Sequence, residues 1–202
     1  MHVEPGGPAV SVRYGVILAG GASRRMPTGK ASALLGGTTL LDRAAATVRA
    51  AGLEPVVSTR ADAVLPRVDV PVWPEPHPSG PPHPLHGIAA ALASAGEPIV
   101  VLPVDLPFLP PPALAALAAG PGDAVLASAG RPAALVARLD PTLAPMLREA
   151  GTSGAPALAT LVALGAVLLD LVEAAPGAPP HALLNVNDEV ALAEAETLLV
   201  RG

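Results

Sequence analysis

Short apolar runs set between clusters of glycine and proline organise this chain. Val12 to Leu18 is the first, and it stops at Gly20 and Gly21 as a strand buried on both faces does when it enters a tight turn. A polar loop follows to Gly37. Thr38 and Thr39 are then N-cap candidates for a helix whose apolar face is Leu40, Leu41, Ala44, Ala45 and Val48, closed by Gly52. Pro55 to Ser58 and Val70 to Trp73 predict two more short strands. Pro74 to Pro84 is dense in Pro, His and Gly and reads as a loop, with helix resuming near Leu85 and running to Ala95. Ile99 to Leu102 is an all-apolar strand that leads directly into Pro103-Val-Asp-Leu-Pro-Phe, which puts Asp105 just past its carboxyl end. Beyond it the pattern predicts helices over Pro110 to Ala119, Pro141 to Ala150 and Pro156 to Leu164. Strands are predicted over Ala124 to Ser128, Ala133 to Leu139 and Ala166 to Leu171, and a last helix over Asp188 to Val200 with Asp188 as its N-cap. Strands alternating with helices imply an α/β fold with a mostly parallel sheet between two helical layers and ligands at the carboxyl ends of the strands. No repeat or internal boundary divides the 202 residues, so one domain is expected over 1–202.

Composition narrows the classes. Apolar residues make up 51% and charged residues 14%, the reverse of a disordered chain, while 26 prolines and 20 glycines supply the turns. A net charge of −5 offers no field for collecting nucleic acid. The absence of cysteine removes disulfides, thiolate nucleophiles and cysteine metal sites, leaves only O- or N-ligated metals, and fits a cytoplasmic location. Met1 to Pro8 lacks the basic and apolar regions of a signal peptide, and residues 1–11 read as a disordered tail. The most membrane-like run, Ala155 to Leu169, is shorter than the roughly 20 residues a spanning helix needs, so it is expected to be a buried helix followed by a strand.

Arginine supplies 11 of the 12 cations, so Lys30 is the single lysine. It ends the loop Leu18-Ala-Gly-Gly-Ala-Ser-Arg-Arg-Met-Pro-Thr-Gly-Lys30, in which backbone amides and three cations could surround phosphate. The loop is not a P-loop and does not show G-x-G-x-x-G. A solvated basic turn is the alternative on the loop alone, and Asp105 could likewise be a turn former between Pro103 and Pro107.

The pattern LAGGxSxRM with a following Lys, and later a strand ending in Asp-x-Pro-Phe, resembles the molybdenum cofactor guanylyltransferase family. His83-Pro-Leu-His-Gly87 is similar to that family's GPLAG turn, and Asn185-Val-Asn-Asp188 to its N-x-N-T-P element. The resemblance covers about residues 13 to 198 and implies a Rossmann-like, nucleotide-diphospho-sugar transferase-like fold. It also implies that Leu18, Ala19 and Gly20 approach the base and ribose with their backbone, that Gly21 belongs to the same nucleotide-binding set, and that Ser58 is at a base-contacting position and Glu75 where the family has an Asp. Arg25 and Lys30 would face the triphosphate. Asp105 would hold Mg²⁺ with Asn187, Asn185 being the weaker candidate. An α-phosphorus positioned for in-line attack needs its growing negative charge neutralised, and these residues supply cations and hard oxygen ligands for that.

The resemblance implies transfer of GMP from GTP to the phosphate of molybdopterin, with release of pyrophosphate. CTP in place of GTP, another phosphorylated acceptor, or a non-catalytic nucleotide-binding role beside molybdoenzyme-assembly proteins are the alternatives. Several positions depart from the family pattern: Pro27 after the Met, Gly29 before the Lys, His83 and His86 in the turn, and Asp188-Glu189 after the Asn pair. His77, His83 and His86 are expected to be exposed loop residues, Arg24 to face solvent, and Phe108 to lie in the core. The 74–84 loop is a candidate lid over substrate.

Overall fold

A computed structural model describes residues 12–20, 26, 29–75, 82–128 and 130–201. In chain order the elements are β1 (Tyr14–Leu18), β2 (Leu34–Leu35), β3 (Thr38–Thr39), α1 (Leu40–Ala50), β4 (Glu54–Arg60), β5 (Val72–Glu75), α2 (Pro84–Ala95), β6 (Ile99–Pro103) and α3 (Pro111–Ala119). They continue with β7 (Ala124–Ser128), β8 (Arg131–Leu139), α4 (Ala144–Ser153), α5 (Ala157–Ala163), β9 (Val167–Asp170), α6 (Leu171–Ala174) and α7 (Glu189–Arg201).

Among the described residues the main sheet runs β5-β4-β1-β6-β8-β7-β9. β8 is antiparallel to both neighbours and the other pairings are parallel, so the sheet is mostly parallel as expected. Both faces are covered, and this is why the strands read as continuous apolar runs. Along β1, Val16 joins one apolar cluster and Ile17 the other. Along β6, Ile99 and Val101 face one way, Val100 and Leu102 the other, as the two-residue period of a strand requires. α1, α3 and α7 cover the first face, and α2, α4 and α5 the second.

From β1 the chain moves outward through β4 to β5 and then crosses back to β6 on the other side of β1, so a crevice opens beside its carboxyl end. Register levels that end. Leu18 lies opposite Ser58 on one side and Pro103 on the other, and Arg60 lies opposite Glu75. Two backbone bonds pin the exit of β1: the Ala19 amide donates to the Ser58 carbonyl at 2.9 Å and the Val104 amide to the Leu18 carbonyl at 3.2 Å.

Several expectations need correction. The stretch before Gly37 is not simply a loop: residues 30–32 make a 3-10 turn, and β2 and β3 form a hairpin around Gly36 and Gly37. Both glycines have positive φ, 57° and 77°, the backbone that a two-residue hairpin turn requires. Thr39 alone caps α1, its hydroxyl accepting from the Asp42 amide at 3.0 Å. Pro74 and Glu75 belong to strand β5 and Pro84 to helix α2, so the expected 74–84 loop shrinks to residues whose core, 76–81 with His77, lies outside the described residues. The apolar run over Ala155 to Leu169 is not buried throughout: in α5 only Leu161 is, and β9 is an edge strand whose Val167 is 61% exposed. Apolar composition overestimated burial there because an edge strand has a neighbour on one side only. Among the described residues, no helix is long and apolar enough to cross a membrane.

Candidate active site

The crevice beside β1 is a cleft of about 910 Å³. Leu18, Ala19 and Gly20 line it together with Lys30, Glu75 and Asp105. These six residues, predicted from separate segments, are brought to one place. Ser58 is not part of the lining. It is 1% exposed, and its hydroxyl donates to the Gly87 carbonyl at 3.4 Å, while its own carbonyl holds Ala19. Gly21 and Arg25, together with Arg24 and Pro27, lie outside the described residues.

Asp105 sits in the turn after β6 and is 6% exposed. Its Oδ2 accepts from Lys30 Nζ at 2.6 Å, and Lys30 Nζ also donates to Asn187 Oδ1. Asp105 Oδ1 is buried and has no hydrogen-bond partner. The Val186 amide donates to the Asp105 carbonyl at 2.9 Å, which fixes the segment before α7 against this turn and sets Asn187 beside Lys30. Asn185, two residues earlier, is exposed. Asp188 caps α7, accepting from the Ala191 amide at 2.9 Å.

Glu75 reaches the cleft from the end of β5 and lies between two glycines. A Cβ at Gly20 would be 2.7 Å from its Oε1, and a Cβ at Gly87 would be 2.5 Å away, so both positions have to be bare for the carboxylate to lie there. Burial raises the pKa of Glu75 above the ordinary carboxylate value, and the charge of Arg60 opposes that rise.

Sequence reasoning missed the role of the two histidines. His83 is not an exposed loop residue: it caps α2, its Nδ1 accepting from the Leu85 amide at 3.3 Å, and it borders the cleft. Burial and the neighbouring His86 lower its pKa. His86 lies in the first turn of α2, is 9% exposed, and fits against Gly151, where a Cβ would come 2.5 Å from its Cδ2. The signal was available, since His83 followed by Pro84 is a cap followed by a helix-starting proline. Leu135, on antiparallel β8, also lines the cleft, and no local pattern marks it. Phe108 is half-buried against the core, edge-on to His181 with centroids 4.7 Å apart.

A family model described as a MobA-like NTP transferase domain matches residues 15–175, about four fifths of the chain. The chain belongs to this family. Members of the MobA-like NTP transferase family are nucleotidyltransferases, enzymes that generally use a divalent metal. The chain is 43% identical over 136 residues to a molybdenum cofactor guanylyltransferase of Acidiphilium cryptum, spanning 64% of this chain and 68% of the relative. It is 40% identical over 126 residues to one of Rhizobium johnstonii, spanning 58% of each. Among solved structures, molybdopterin-guanine dinucleotide biosynthesis protein A of Archaeoglobus fulgidus superimposes with a TM-score of 0.75 at 23% identity. That match covers 94% of this chain and 100% of the other, a likeness of fold. Asn187 lies beyond the residues matched to the MobA-like family, so its place beside Lys30 is a finding of the tertiary structure.

The donor set fits a hard divalent ion. Among the described residues there is no group of three or more His, Cys, Asp or Glu that could hold a metal. Asp105 nonetheless keeps one buried oxygen unpartnered, and Asn187 adds a neutral oxygen nearby. Mg²⁺ in nucleotide enzymes is characteristically held by one or two carboxylates, with phosphates and waters completing the shell.

Proposed function

We propose that this chain transfers GMP from GTP to the phosphate of molybdopterin, releasing pyrophosphate with Mg²⁺ as the divalent ion. The observation that carries this is the buried, unpartnered Oδ1 of Asp105 beside the Lys30 ammonium in the cleft at the end of β1. The relatives named molybdenum cofactor guanylyltransferase support the choice of donor and acceptor.

Leu18, Ala19 and Gly20 bring backbone rather than side chains to the nucleotide, and Glu75, whose carboxylate lies beside Gly20, offers an acceptor for the base or ribose donors. Ser58 acts indirectly, by holding Ala19 in place. Arg25 is assigned to the triphosphate and Gly21 to nucleotide binding on the sequence resemblance alone. Lys30 neutralises phosphate charge. Asp105 and Asn187 would hold Mg²⁺, which supplies electrostatic stabilisation of the phosphate oxygens and of the departing pyrophosphate. An oxygen of the acceptor phosphate attacks the α-phosphorus in line, a new P–O bond forms, and the bond to the β-phosphate breaks with its electrons leaving on pyrophosphate. No side-chain nucleophile is needed because the acceptor arrives as an anion, so the protein's share is alignment and charge.

Incubation with GTP, Mg²⁺ and molybdenum-loaded molybdopterin is expected to give guanine dinucleotide and pyrophosphate in equal amounts. Absence of dinucleotide above a protein-free control, with GTP bound, would overturn the proposal.

A further inference from the structure

We infer that Lys30 is an exchangeable cation: its ammonium holds the metal-ligand oxygens while the cleft is empty, and gives them up when a metal–nucleotide complex arrives. This rests on the nucleotidyl-transfer function proposed above.

Three observations carry it. Lys30 Nζ contacts one oxygen from Asp105 and one from Asn187, the same two residues that offer hard oxygen ligands in the cleft. Asp105 is almost fully buried, and a buried carboxylate without a cation is costly, so the ammonium has a defined task in the empty protein. Oδ1 of the same carboxylate is also buried and unpartnered, so the lysine satisfies only part of the site. An ammonium donating hydrogen bonds and a divalent ion seeking lone pairs compete for the same oxygens, and like charges repel at that distance.

The consequence is a coupling between two ligands. Metal alone has to displace Lys30 and leave its charge without a partner. Metal arriving with a triphosphate brings the anion to which Lys30 can turn, so displacement then costs little. Metal and nucleotide should therefore bind far better together than apart, with Lys30 as the residue that links them. Replacing Lys30 by an uncharged side chain should free the two oxygens for metal in the absence of nucleotide. Arginine retains the charge and should keep metal out.

The test is Mn²⁺ binding followed by electron paramagnetic resonance, with and without GTP, on the full chain and on K30M, K30R and D105N. The expected results for nucleotide-free Mn²⁺ affinity are a rise of roughly tenfold in K30M, within the usual range for coupled sites, and little change in K30R. In the wild-type protein GTP should strengthen Mn²⁺ binding, and in K30M that enhancement should shrink. D105N should abolish binding in both conditions. If the wild-type chain binds Mn²⁺ with GTP but K30M gains no nucleotide-free affinity, the exchange is overturned and the metal site stands. If no variant binds Mn²⁺ under either condition, both the exchange and the metal-dependent function fall. Circular dichroism on each variant separates these outcomes from misfolding, and K30R tests the exchange on a side chain that keeps Asp105 paired.

Discussion

A Cβ placed on Gly87 would stand 2.5 Å from Oε1 of Glu75, so a helix residue of α2 and a strand-end carboxylate of β5 compete for one space. The atom that would be struck is the far end of a flexible side chain. Gly87→Ala should therefore fold, with a Tm within a few degrees of wild type, while the displaced carboxylate leaves the cleft wall. GTP affinity should fall about tenfold, or about 1.4 kcal/mol. Calorimetric titration beside a thermal melt checks this, and unchanged affinity would show that Glu75 does not meet the nucleotide.

Glu75 also sets a pH dependence. Because burial raises its pKa in the folded chain, the folded state holds the proton more tightly than the unfolded one, and stability falls as pH rises from the ordinary carboxylate value through the raised one. Glu75→Gln removes this cost. It should melt higher than wild type at pH 7, with the difference closing below about pH 4, where both side chains are neutral. Thermal melts across that range give the sign directly.

Asp105→Ala should leave the fold intact and lower turnover by about 100-fold or more, the scale associated with losing one preorganised electrostatic group. Pyrophosphate release under saturating GTP is the measurement. Retention of a tenth or more of the wild-type rate would remove Asp105 from the chemistry.

His83 acts as an acceptor in its cap, which requires an unprotonated Nδ1. Its pKa is lowered by burial and then by His86, so the folded state resists the proton. The stability it contributes is present above the ordinary histidine value near pH 6.5 and is lost as pH falls below it. His83→Ala should cost about 1 kcal/mol at pH 7.5, as loss of an N-cap does. His83→Asn retains a capping oxygen and should lack the loss of stability between pH 7 and 5.5.

Most of the fold was legible because its signals are local. A short, largely apolar run bounded by turn formers reads as a strand, and β1, β4 and β6 were all found this way. Asp105 was legible for the same reason, as the first acid after such a strand. Lys30 stood out through composition, being the one lysine among arginines. The miss at β5 has an equally plain cause: proline and glutamate are poor strand formers, yet Pro74 and Glu75 lie on the sheet's edge, where proline is tolerated.

By itself the sequence determined the alternation of strands and helices, the turn that presents Asp105, and the loop that ends in Lys30, since each is encoded within a window of a few residues. Only the tertiary structure decided that Asn187, 157 residues away, meets the same ammonium as Asp105, that Glu75 lies between Gly20 and Gly87, and that His86 is buried against Gly151. Such meetings depend on which strands become neighbours and in what register, and on the path the chain takes back over the sheet. These follow from the packing of the whole core, and no short stretch of sequence contains them.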